Sequence, residues 1–151
     1  LYFQSKEDLF SSVFEELVDQ LRESLIALMT SRKEGEPLVT EIVGTILSHF
    51  DRNHDFMASF SNGRFPACGQ GATQKLLAKF SENIDTVRAL LRRAARDGVV
   101  DSKKTDLGAV ALIGLCRSVA FIKHKSGGKT PLINETDKIV DLFLNGIGAH
   151  S

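Results

Sequence analysis

The sequence predicts an all-α fold, a helical bundle of about five main helices. Three observations predict it. Apolar residues recur at three- and four-residue spacing along most of the 151 residues, and no stretch alternates as a half-buried strand would. Gly35 and Pro37, the glycine-rich stretch 62–72, Gly98 and Gly127-Gly128 punctuate these periodic stretches. The composition, 42% hydrophobic and 25% charged, is that of one globular domain long enough to bury a substantial core.

Each helix can be justified in turn. Ser5 reads as an N-cap, with Asp8 three residues on in a near capping box. Leu9, Val13, Leu17, Leu21 and Leu25 then recur every four residues, with Phe10, Phe14 and Val18 beside them. That stripe predicts a helix over 5–31, about 40 Å long at about 1.5 Å per residue. Gly35 and Pro37 break it, and a second helix follows over 37–61, with Val39, Ile42, Val43, Ile46, Phe50 and Met57 on its inner face. Asn62-Gly63 ends that helix, and 62–72 reads as a loop. A third helix is expected over 73–97, carrying Leu77, Phe80, Ile84, Val87 and Leu91. Arg92, Arg93 and Arg96 complement the dipole of its last turns, and Gly98 supplies the stop. The fourth is expected over 105–125, ended by Gly127-Gly128, and the fifth over 134–147.

The last two helices are apolar on more than one side. Leu112, Leu115, Val119 and Ile122 form one stripe of the fourth, and Val110, Ile113 and Phe121 another. In the fifth, Val140, Leu144 and Ile147 form one stripe, and Ile139, Leu142 and Phe143 most of another. A helix with two apolar faces must bury both. One face meets the core, and the simplest cover for the other is a second copy of the chain, giving a homodimer through a two-fold four-helix interface. The expected interface residues are Leu112, Leu115, Val119, Ile122, Ile139, Val140, Phe143, Leu144 and Ile147.

Charge and cysteine content narrow the function. Nineteen basic residues balance nineteen acidic ones, so the chain lacks the basic excess of a free-standing DNA binder. No run of 18 apolar residues and no signal peptide is present, so no membrane role is expected. Cys68 and Cys116 are too few and too far apart for a disulfide framework or a zinc site, which fits a reduced, cytoplasmic compartment.

The opening segment, Tyr2-Phe3-Gln4-Ser5-Lys6-Glu7-Asp8-Leu9-Phe10, resembles the YF-x-SKE-x-LF segment of TetR/AcrR-type transcriptional regulators. Leu90 to Gly98 (LLRRAARDG) resembles that family's helix closing on a charged run and a glycine. Asp106 to Phe121 and Ile139 to Ile147 resemble its two terminal dimerising helices. The resemblance implies a dimeric, all-helical effector-binding domain over 5–151. Residues 1–4 would be the end of a DNA-recognition helix, although LYFQS also matches the tail of a cleavable tag. The helix-turn-helix itself is absent from the sequence, so operator DNA would be reached through a preceding domain. By the family pattern Tyr2 and Lys6 would touch backbone phosphates, contacts that position rather than specify.

The resemblance also implies a small hydrophobic or amphipathic effector held between the long helices. Pockets of that kind are mostly apolar with a few placed polar groups. Polar residues on otherwise apolar stripes are therefore the candidates: His49, His54, Arg88 and Arg117, with Phe50, Met57, Phe60, Phe80 and Cys116 as apolar wall. An arginine in such a cavity would favour an anionic effector.

No cofactor, metal or catalytic centre is expected. Ser126-Gly127-Gly128-Lys129-Thr130 echoes the end of a phosphate-binding loop, but Lys123 stands where the motif needs its first glycine, and a helix precedes it instead of a strand. Asp51 and His54 have a spacing that could share a metal, yet neither Glu-x-x-His motif of a helical di-metal site is present. No nucleophile and base are legibly paired. The alternative reading is a stand-alone helical-bundle enzyme or metal-binding protein.

Overall fold

The computed structural model describes residues 5–56 and 70–149, and every regular element among them is helical. Five α-helices organise these residues: α1 (Lys6–Ala27), α2 (Gly35–Arg52), α3 (Gln70–Ala95), α4 (Thr105–Lys125) and α5 (Thr136–Asn145). Short 3₁₀ turns follow α1 and precede α4 and α5.

Helix α2 is the centre of the bundle and packs against each of the other four. Leu38, Val39, Ile42, Val43, Ile46 and Leu47 are fully buried on it. They meet Leu21 and Leu25 of α1, Val87, Leu90, Leu91 and Ala94 of α3, Ala109, Leu112, Cys116 and Ala120 of α4, and Ile139 and Val140 of α5 in one continuous core. Burying branched side chains on this scale supplies the main stabilisation, roughly 1.5–3 kcal/mol for each one fully removed from water.

Local chemistry sets the ends of the helices. The Ser5 hydroxyl accepts from the Asp8 amide at 3.1 Å, the expected N-cap. Helix α1 tightens into a 3₁₀ turn at Leu28–Thr30, where the Thr30 hydroxyl donates to the Ala27 carbonyl at 2.8 Å. The Arg93 guanidinium of α3 reaches this corner and donates to the carbonyls of Met29 at 3.1 Å and Lys33 at 2.6 Å, and also to that of Ser31. It thereby satisfies acceptors that the end of α1 leaves open. Gly35 opens α2 at φ +56°, and a Cβ there would lie 3.3 Å from Val99. Gly98 closes the turn after α3 at φ +77°, its amide donating to the Ala95 carbonyl at 3.0 Å.

Helix α2 stops at Arg52, short of the expected 37–61. The Asn53 side chain donates to the His49 carbonyl at 2.8 Å, taking the acceptor that a continuing helix would use. Helical backbone resumes over 54–56. Helix α5 begins at Thr136 and ends at Gly146 (φ +73°), shorter than the expected 134–147.

Candidate functional site

Three regions outside the core hold polar or apolar groups that the core does not use.

The first is an aromatic cluster between the N-terminal halves of α1 and α3. Phe10 stacks on Phe56 with ring centroids 4.8 Å apart, and Phe14 lies 6.0 Å from the same ring. Phe14 also meets Phe80 edge-on at 5.5 Å. All four rings are only partly buried. Beside them runs a polar seam, in which Lys79 bridges Asp19 at 2.6 Å and Glu15 at 2.8 Å, and Arg22 pairs with Glu82. The Lys79 ammonium holds the Glu15 carboxyl below its ordinary range, against the opposing effect of burial. The buried Asn83 side chain donates to the Val18 carbonyl at 3.2 Å.

The second region is the outward side of α4. Leu107, Val110, Phe121 and Ile122 are 40–76% exposed and follow one another at helical spacing, with Ala111, Gly114 and Ser118 between them. Leu142 of α5 is also exposed. By length and composition alone, Ser102–Lys125 would suffice to cross a membrane. Its inward residues Ala109, Leu112, Cys116 and Ala120 are nonetheless fully buried against the other helices, so among the described residues it is the outward side of this helix that stands exposed.

The third region is a cleft of about 370 Å³ where the C-terminal ends of α2 and α4 meet. Asp51, His54, Lys123, His124, Gly128, Lys129, Thr130 and Pro131 line it. The rings of His54 and His124 meet edge-on, 4.1 Å between centroids. One oxygen of Asp51 lies 3.7 Å from His124 Nε2, and the other accepts from the Leu132 amide at 2.7 Å.

The structure divides the expected effector-site residues. Phe80 lies in the aromatic cluster. Phe50 and Cys116 are buried in the core, and burial pushes the Cys116 thiol up to about 12. His49 is 5% exposed, and its imidazole is pushed down to about 4, first by burial and then by the nearby Arg52 charge. His54 sits apart from it, in the cleft with His124. Met57 and Phe60 lie outside the described residues, as does Tyr2. Lys6 is exposed in the first turn of α1.

Arg88 bridges Asp85 at 2.6 Å and Asp106 at 2.9 Å, joining α3 to α4. Arg117 is exposed on α4, one turn from Gly114 and one from Phe121.

The expected interface residues are divided between core and surface. Leu112, Ile139 and Val140 are at most 3% exposed within a single chain. Leu115, Val119, Phe143 and Leu144 are half-buried against the core. Ile122 is 62% exposed and Ile147, beyond α5, 91%. Leu107, Val110, Phe121 and Leu142 are exposed on the outward surface, and periodicity alone cannot tell a core-facing apolar stripe from an uncovered one.

Similar folds occur among solved structures. The fatty acid degradation regulator FadR from Bacillus halodurans superposes with a TM-score of 0.79 at 17% identity, over 97% of this chain and 79% of that one. FadR from Bacillus subtilis, solved in complex with stearoyl-CoA, gives 0.79 at 16% identity, over 97% and 79% of the two chains. A TetR/AcrR-family transcriptional regulator from Thermobifida fusca gives 0.72 at 17% identity, over 98% and 78%. No protein-family profile and no curated protein matches the sequence. The chain thus has the all-helical fold of FadR and TetR/AcrR-type regulators, as its helical pattern predicts.

Proposed function

We propose that this chain is the effector-binding and dimerisation part of a cytoplasmic, ligand-responsive transcriptional regulator, acting as a repressor. A preceding helix-turn-helix carries operator binding, and Tyr2 and Lys6 contact backbone phosphates beside it. The observation that carries this reading is the half-buried aromatic cluster of Phe10, Phe14, Phe56 and Phe80 within a TetR/AcrR-type fold. A ligand site is mostly apolar with a few placed polar groups, and here half-buried rings stand beside the ion-paired seam at the N-terminal ends of α1 and α3. The effector class is a small amphipathic molecule with an acyl chain. The stearoyl-CoA complex of the Bacillus subtilis neighbour supports that class.

Dimerisation uses the outward side of α4, where Val110, Phe121 and Ile122 stand uncovered. An isologous contact through this surface sets the spacing of two DNA-reading heads. A ligand that prefers one placement of α1 then shifts the population of head spacings.

A thermal-shift series tests the effector class. Fatty acids and their CoA thioesters of increasing chain length are added to the purified chain. The midpoint rises with chain length and with ligand concentration, by about 2.7 kcal/mol of stabilisation at about one hundred times Kd. Absence of any shift across the series rules the acyl class out.

A further inference from the structure

The seam between α1 and α3 holds a buried amide that the fold only half uses. Asn83 is 3% exposed. Its Nδ2 donates to the Val18 carbonyl at 3.2 Å, but its Oδ1 has no hydrogen-bond partner among the described residues. The Val18 carbonyl can only accept, so it fixes which end of the amide is left over. Two more buried atoms of the seam are in the same state, Asp19 Oδ1 and Arg22 Nε, both on the turn of α1 that follows Val18. Buried polar atoms are nearly always hydrogen-bonded, so an orphaned one marks a place where another molecule completes the bond.

That place adjoins the aromatic cluster. Val18 follows Phe14 by four residues on α1, and Asn83 follows Phe80 by three on α3, spacings that keep each pair on one face of its helix. Phe14 touches Phe80 across the gap, and one turn further Asn83 touches Val18. Beyond them Leu25 and Val87 are fully buried. The half-buried rings thus lie outermost, the orphaned amide oxygen one turn behind them, and the packed core behind both. We propose, on the reading of the aromatic cluster as the effector site, that Asn83 is its specificity-determining residue and selects an acyl compound that carries a hydroxyl or an amide N–H.

The chemistry of the seam sets that class. Its orphaned atoms are two acceptors, on Asn83 and Asp19, and one donor, on Arg22. A hydroxyl or an amide both donates and accepts, and so complements them. A carboxylate has no hydrogen to give the Asn83 oxygen and meets the negative charge of Asp19. The cations of the seam are already held by carboxylates: Lys79 by Asp19 at 2.6 Å and Glu15 at 2.8 Å, Lys75 by Glu15 at 3.1 Å, and Arg22 by Glu82. A bare hydrocarbon segment would leave the buried oxygen unsatisfied. A site made to hydrogen-bond a ligand's hydroxyl or N–H discriminates against the analogue that lacks it for that reason.

The test compares Kd values on the full chain for octadecanoic acid, for octadecanamide and for a set of hydroxyoctadecanoic acids in which the hydroxyl moves along the chain. The expected result is that at least one donor-bearing ligand binds the unaltered chain about tenfold tighter or more than octadecanoic acid. Asn83→Leu, which keeps the size of the side chain and removes the orphaned oxygen, abolishes that preference while still binding octadecanoic acid. Equal affinity for all the ligands on the unaltered chain overturns the inference and leaves the acyl reading standing. A preference that survives in Asn83→Leu overturns the assignment to Asn83. Absence of binding by every ligand overturns the acyl reading and the inference together.

Discussion

The two ends of α1 and α3 are built differently. Toward their C-termini, Leu25, Leu90, Leu91 and Ala94 are fully buried against α2, and Arg93 ties the α1 corner with bonds to its carbonyls. Toward their N-termini, the same pair of helices meets through half-buried phenylalanines and an exposed ladder of ion pairs. One end is close-packed and cannot admit a guest without breaking. The other holds half-buried rings and partly exposed ion pairs. On the proposed reading, a single pair of helices is scaffold at one end and receptor at the other.

The largest expected effect comes from opening the scaffold end. Leu38→Ala removes a fully buried side chain in the first turn of α2. It should lower unfolding free energy by about 3–4 kcal/mol in urea denaturation while sparing ligand affinity. Loss of affinity in the folded variant would show that the two ends are not separable.

The next effect is that of pH on the same core. His49 has its folded pKa depressed to about 4 from an ordinary 6.5. Between these values the unfolded chain binds a proton that the folded chain does not. Its contribution to stability is therefore intact above about pH 6.5 and is lost as pH falls toward about 4, by about 3 kcal/mol in all. Thermal midpoints measured across that window should fall less steeply in His49→Gln. Parallel slopes would place the acid sensitivity elsewhere.

A smaller effect is expected where the scaffold meets a second copy. Val110→Lys puts a charge on the outward side of α4 without touching the core. It should weaken self-association by about 2 kcal/mol, roughly thirtyfold, in sedimentation or light scattering, with the thermal midpoint of the monomer unchanged. Unaltered association would move the subunit contact off α4.

The difference between the two ends also explains what was legible in the sequence. Local signals were read well. Ser5 caps α1, Gly98 stops the turn after α3, and α4 occupies the expected 105–125. These depend on neighbours a few residues apart. Helix α2 was read too long because nothing in its apolar spacing announces that the Asn53 side chain will take the His49 carbonyl. Which side of α4 the core covers was not legible because both of its sides are apolar, and only the packing of α2 and α3 decides it. The candidate effector residues scattered for a similar reason. His54 meets His124, and Arg88 meets Asp106, across distances in sequence that periodicity does not span.

The account's central claim is that the aromatic end receives an apolar ligand that the packed end does not touch. The most direct measurement is the Kd of octadecanoic acid or its CoA thioester for the unaltered chain, for Leu38→Ala and for the double variant Phe14→Ala/Phe80→Ala. The account predicts that the double variant loses about tenfold or more in affinity with a thermal midpoint only a few degrees lower, while Leu38→Ala keeps its affinity. Equal affinity in the double variant and the unaltered chain would contradict it.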